Sequence, residues 1–204
     1  MPKLKILKRA LIDFLQDKRE SCEPPQSEIS RFQLGESVEK RPIYYYQIGS
    51  GERKILFVSA MHGNEIGTIK LAYFLLNYLN SCGKKYEKLS CYVVPCLNVD
   101  GFERAKGAVG YFKSGRGRRN SRDVDLNRNF PASNFRSQSY ILSKKIGISK
   151  YNRELSTDVP EAKDLRLPLK NCGAFGGSEP ETKIIIDFIE KEKISVIFSF
   201  HNSG

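Results

Sequence analysis

Histidine is scarce in this chain. Its 204 residues include two, His62 and His201, so a metal site built on imidazole has no others to draw on. Cysteine does not fill that gap. The five cysteines, Cys22, Cys82, Cys91, Cys96 and Cys172, are odd in number and form no C-x-x-C pair. That argues against a disulfide framework and against a cysteine-ligated zinc site. Reduced, structural thiols point instead to a cytoplasmic protein. No apolar run approaches the roughly 20 residues of a membrane-spanning helix, so no membrane partner is expected. The first twenty residues lack the uninterrupted apolar stretch of a signal peptide. Acidic residues are in the minority, 23 against 34 basic, for a net charge of +11, which favours anionic substrates. The basic residues are scattered and form no stripe interleaved with stacking aromatics, so no nucleic-acid partner is expected.

Apolar residues make up 40% of the chain, enough for one sizeable core. Leu4, Leu7, Leu11 and Phe14 share a face of an N-terminal helix, and Cys22 to Ser27, with Pro24-Pro25, reads as a linker. The expected division is therefore an N-terminal helix and linker over 1–27 and a main domain over 28–204. Arg41 to Gly49 and Lys54 to Ala60 read as strands, and as neighbours they could pair in a hairpin. A helix is expected from about Glu65 to Asn80, and a third strand from Leu89 to Cys96. Regularity fades from Leu97 to Leu169, and so long an irregular stretch suggests a functional segment. Order returns at Ser178, a good N-cap, with Pro180 in the first turn and Glu181 completing a capping box. That helix runs to about Lys191, and a last strand spans Ile194 to Phe200. Alternating strands and helices predict an α/β fold with a mixed, largely parallel sheet flanked by helices.

The most informative stretch is Ser59-Ala60-Met61-His62-Gly63-Asn64-Glu65, which lies between a strand and a helix. A His and a Glu three apart at such a junction can reach one metal ion. Zinc accepts neutral imidazole and carboxylate, and its catalytic sites use three protein ligands with one open position. Two such residues also fall at this spacing by chance in many proteins, and a histidine near a strand end is often just hydrogen-bonded. What favours a metal is that His201 also closes an apolar run, Val196 to Phe200, because ligands of open α/β sheets gather at the carboxyl ends of strands. Further along, Asn98-Val99-Asp100-Gly101 reads alone as a turn, and Gly115 to Asn120 as a flexible basic loop. Asn127 and Arg128 set an amide beside a guanidinium, a pair suited to gripping a carboxylate, although an isolated arginine more often forms a surface ion pair.

Taken together, His62-Gly63-Asn64-Glu65, Asn98-Val99-Asp100-Gly101, Gly117-Arg118-Arg119-Asn120, Val124 to Pro131, Ser178-Glu179-Pro180-Glu181-Thr182 and His201 resemble the zinc carboxypeptidase family. Order and spacing agree from about Arg41 to Gly204, and the short connections resemble the murein peptide amidase branch. The resemblance implies zinc bound by His62, Glu65 and His201, the His₂Glu set for which carboxypeptidase A is a standard example. It implies that Arg118 polarises the scissile carbonyl and that Asn127 and Arg128 hold the terminal carboxylate of a peptide substrate. It also implies a general-base glutamate and a substrate-contacting tyrosine after the third zinc ligand, where this sequence offers none. The domain over 28–204 is thus expected to lack the C-terminal part of the fold. Two rivals remain. A zinc N-acyl amino acid deacylase, similar to succinylglutamate desuccinylase or aspartoacylase, would share HGNE and a DLNR segment. A non-catalytic zinc- or carboxylate-binding module would need no general base.

Overall fold

The computed structural model describes residues 29–82, 88–106, 116–132, 135 and 172–202. The expected N-terminal helix, the linker and the boundary at 27/28 lie outside the described residues. Among the described residues there are five strands: β1 (Arg31–Glu36), β2 (Pro42–Ile48), β3 (Arg53–Val58), β4 (Leu89–Val94) and β5 (Val196–Ser199). Three α-helices accompany them: α1 (Ile66–Ser81), α2 (Val99–Ala105) and α3 (Pro180–Glu192). A short 3₁₀ turn covers Leu126–Arg128.

The sheet order is β1-β2-β4-β3-β5. β3 pairs in parallel with β4 from Arg53↔Leu89 to Val58↔Val94, and with β5 from Ile55↔Val196 to Val58↔Ser199. β2 is antiparallel to both β1 and β4. The hairpin expected between β2 and β3 is therefore absent, because β4 lies between them. The reason is burial. Cys91-Tyr92-Val93-Val94 is buried on both faces, the pattern of a central strand. β2 turns back on β1 instead, through a reversal in which Ser37 N–H donates to the Arg41 carbonyl at 2.9 Å. β1, Arg-Phe-Gln-Leu-Gly-Glu, is a mostly exposed edge strand with little apolar alternation, and sequence reading did not find it.

Two apolar layers sandwich the sheet. On one side Ile185 and Phe188 of α3 pack with Ile43, Leu56, Tyr92 and Val94. On the other, Ala72 and Leu76 of α1 pack with Tyr46 and Val93. Residues 69, 72, 76 and 79 of α1 are buried at the three-to-four spacing of one helical face. α3 departs from the expected capping box. Its N-cap is Glu179, which makes no side-chain cap bond, while Ser178 Oγ donates to Glu179 Oε1 at 2.9 Å and Glu181 is drawn into the interior. A left-handed Lys193, φ 53°, ends α3 and turns the chain into β5.

Candidate metal centre

The centre forms where parallel strands β3 and β5 end side by side. Beyond Val58 the chain makes a tight reversal. Ala60 takes a left-handed φ of 45°, and its N–H donates to Thr68 Oγ1 at 2.9 Å. Glu65 N–H then donates to the His62 carbonyl at 3.0 Å. Gly63 lets this reversal approach α2, since a Cβ there would lie 2.1 Å from the Phe102 backbone nitrogen. On the neighbouring strand, Phe200 N–H donates to the Val58 carbonyl at 2.9 Å and delivers His201 next to the reversal.

The three residues expected to bind metal converge. His62 Nδ1 lies 2.9 Å from Glu65 Oε1, and His201 Nδ1 lies 3.0 Å from Glu65 Oε2. The imidazole ring centroids are 5.1 Å apart. One ligand atom from each of His62, Glu65 and His201 falls within 4.8 Å of the others. The second nitrogen of His62, Nε2, lies 3.1 Å from Asp125 Oδ1. Both carboxylates only accept, so each His62 nitrogen faces an acceptor; a metal would displace the hydrogen between Nδ1 and Glu65 and leave Nε2–H on Asp125. Such carboxylate–imidazole pairs fix the tautomer behind metal-binding histidines.

Burial alone would raise the Asp125 carboxyl, but the bond from His62 and the nearby Arg118 and Arg128 charges outweigh it and hold it at about 2. Burial likewise pushes Glu65 up, and the bonds from His201 and His62 overcome this and bring it to about 2. His62 shows the complement: burial lowers its pKa, and the bonds to Asp125 and Glu65 raise it by more. The cluster thus holds ionised carboxylates around imidazoles whose Nδ1 atoms both face one carboxylate. A divalent cation can replace the protons between them, and neutral imidazole with carboxylate is a donor set that suits zinc. The residues present therefore fit the metal.

Arg118 is also brought in, its Nη2 donating to Asp125 Oδ2 at 3.2 Å. The adjacent Arg119 points elsewhere and pairs with the exposed Asp123 at 2.7 Å. Asn127 N–H donates to Asp125 Oδ1 at 3.1 Å, and Arg128 Nη1 donates to the Asn127 carbonyl at 3.1 Å. Both are half-buried on the same 3₁₀ turn that Asp125 caps.

Sequence reading left several residues without a role. Asp125 is one. Its signal was an acidic residue between the apolar Val124 and Leu126, a pattern that buries it. Asn98-Val99-Asp100-Gly101 is more than a turn. Asn98 caps α2, accepting from Gly101 N–H at 2.9 Å, and its Nδ2 donates to the Arg118 carbonyl at 3.1 Å. The fully buried Asp100 accepts from Ser37 Oγ, Arg41 Nη1, Glu39 N–H and Ser121 Oγ. That one carboxylate joins the β1–β2 turn to the segment carrying Arg118.

Residues 14–204 match the family described as zinc carboxypeptidase. Carboxypeptidase O of Bos taurus is 31% identical over 187 residues, covering 84% of this chain and 44% of that protein. Among solved structures, carboxypeptidase A of Helicoverpa armigera aligns over 100% of this chain and 53% of its own, at 17% identity and a TM-score of 0.63. The murein-tripeptide amidase of Escherichia coli O157 aligns over 92% of this chain and 64% of its own, at 22% identity and a TM-score of 0.52. These structures share the fold. The chain spans less than half the length of the curated relatives it matches.

Proposed function

The chain belongs to the zinc carboxypeptidase family, and from that premise we propose that it provides the zinc-binding part of a metallopeptidase that hydrolyses an amide bond near the C-terminus of a peptide. The observation that carries this reading is the convergence of His62, Glu65 and His201, with Asp125 fixing His62 from behind. His62 Nδ1, Glu65 and His201 Nδ1 would hold zinc. Zinc supplies Lewis acidity toward a carbonyl and activates water near neutral pH. Asp125 keeps the proton of His62 on Nε2 and also orients Arg118 through its other oxygen. Arg118 then directs a fixed cation to where oxyanion charge develops, the position at which such a group is worth most. Asn127 and Arg128 grip the substrate's terminal carboxylate, and the half-exposed Arg128 guanidinium can make two parallel bonds to it. A cytoplasmic setting is part of the reading, resting on the odd number of cysteines in the sequence.

The test compares matched peptides with a free or an amidated C-terminus, alongside N-acyl amino acids, as ligands of the zinc-loaded chain. Arg128→Ala should weaken binding of the free-acid peptide by about 1.5–3 kcal/mol, the worth of a charged hydrogen bond, and leave the amidated peptide unchanged. Equal weakening of both, or preference for the N-acyl amino acid, would contradict the proposal.

A further inference from the structure

Asn120 lies two residues beyond Arg118, outside the groups assigned to the site, and its side chain is fully buried. Every hydrogen-bonding capacity of its amide is used. Nδ2 donates to Glu179 Oε2 at 2.8 Å and to Glu181 Oε2 at 3.2 Å. Oδ1 accepts from Arg122 N–H and Val124 N–H, both at 3.0 Å. The Asn120 backbone closes the same loop, with N–H donating to the Val124 carbonyl and C=O accepting from Asp123 N–H. Asp123, at φ 60°, supplies the left-handed turn this closure needs.

The closed loop joins Arg118 to Asp125, so it sets where the Arg118 guanidinium and the Asp125 carboxylate meet. Asp125 in turn holds His62. Glu179 and Glu181, 3% and 0% exposed, lie at the start of α3, whose far end leads through Lys193 into β5 and His201. One amide therefore bridges the segment that fixes His62 and the unit that delivers His201. Glu181 also accepts from its own backbone N–H and from Val38 N–H, the latter at 3.3 Å, so Asn120 supplies its side-chain donor. A buried carboxylate that loses its donor is strongly unfavourable, so the bridge resists loosening. An amide placed only to satisfy a core would tie together elements with no bearing on the metal. This one ties together the supports of two different metal ligands.

We propose that Asn120 is a positioning residue for the metal centre: through Glu179 and Glu181 it sets the spacing of His62 and His201, and through its own loop the placement of Arg118. The proposal rests on the zinc reading above.

The experiment measures zinc affinity of the full chain by competition with a chromophoric chelator, under conditions where circular dichroism shows each variant folded. Asn120→Asp keeps the acceptor for Arg122 and Val124 but turns an acceptor toward two carboxylates. It should bind zinc about 10–100-fold more weakly, the usual effect of losing an outer-shell partner. Adding Glu179→Gln and Glu181→Gln together turns two amide donors toward the new carboxylate, restoring both contacts with reversed polarity, and should recover most of that loss. Leu76→Ala, in the opposite core layer, should lower thermal stability and leave zinc affinity unchanged. Wild type failing to bind zinc would remove the zinc reading itself. Wild type binding zinc while folded Asn120→Asp binds it equally well would overturn only the positioning role. Should Asn120→Asp not fold, the variant carrying Asn120→Asp, Glu179→Gln and Glu181→Gln decides: native zinc affinity supports the role, and a tenfold deficit or a second failure to fold overturns it.

Discussion

Replacing Asp125 by asparagine changes one atom and removes one charge, yet it should weaken the metal centre severely. Asp125 Oδ1 faces His62 Nε2 at 3.1 Å, and Oδ2 faces Arg118 Nη2 at 3.2 Å. An asparagine can satisfy only one side. If its oxygen faces His62, its NH₂ opposes the Arg118 guanidinium, donor against donor. If it flips, its NH₂ takes Nε2 as acceptor and drives the His62 proton to Nδ1, the nitrogen that zinc needs. The native carboxylate is lowered from 3.8 to about 2, and at 1.36 kcal/mol per unit its ionised form is favoured by ~2 kcal/mol. Loss of a carboxylate behind a metal-binding histidine commonly costs 10–100-fold in metal affinity, or about 1.4–2.7 kcal/mol, in line with that figure. Chelator competition at neutral pH reads the difference directly. Asp125→Asn binding zinc within twofold of wild type, with the fold intact, would refute the claim that Asp125 fixes the ligand tautomer.

Arg118 and Arg119 should separate cleanly in a peptide hydrolysis assay of the active protein. Arg118→Ala should lower kcat by about 10²–10³ with little effect on KM, the scale seen for removal of one oxyanion donor. Arg119→Ala, which loses an ion pair with the exposed Asp123, should change kcat by less than about twofold. Metal-free protein should be most stable in mild acid. The folded Glu65 pKa, about 2, lies below its ordinary 4.5, so its contribution is complete above pH 4.5 and is lost as pH falls toward 2. The folded His62 pKa is raised above 6.5, so its share of the same ion pair is complete below pH 6.5 and is lost as pH rises through the folded value. Urea unfolding of chelator-treated protein across that range should give a dome; a flat profile would contradict the coupling.

Some of this molecule was legible in one dimension and some was not, and the division has a physical cause. α1 and the cores of β2 to β5 follow from local apolar periodicity, which needs no partner to be visible. His62, Glu65 and His201 were accessible because they follow the ends of apolar, strand-like runs, where a short motif implies a position in space. Strand order was not accessible. Which neighbour β2 takes depends on β4 being buried on both faces, a property of the assembled sheet. The supports of the site were hidden for the same reason. Asp125 meets His62 across 63 residues of chain, and Asn120 meets Glu179 across 59. Glu181 illustrates the limit. Its spacing from Ser178 matched a capping box, but burial beside Asn120 claims the carboxylate for the interior.

The central claim is a single zinc held by His62, Glu65 and His201, and zinc X-ray absorption with metal counting on the loaded chain tests it most directly. The account predicts one zinc per chain, two imidazole nitrogens at about 2.0–2.1 Å with carboxylate oxygen completing the protein ligands, and loss of that zinc in both His62→Ala and His201→Ala. Sulfur in the first coordination shell, or full occupancy in either histidine variant, would contradict it.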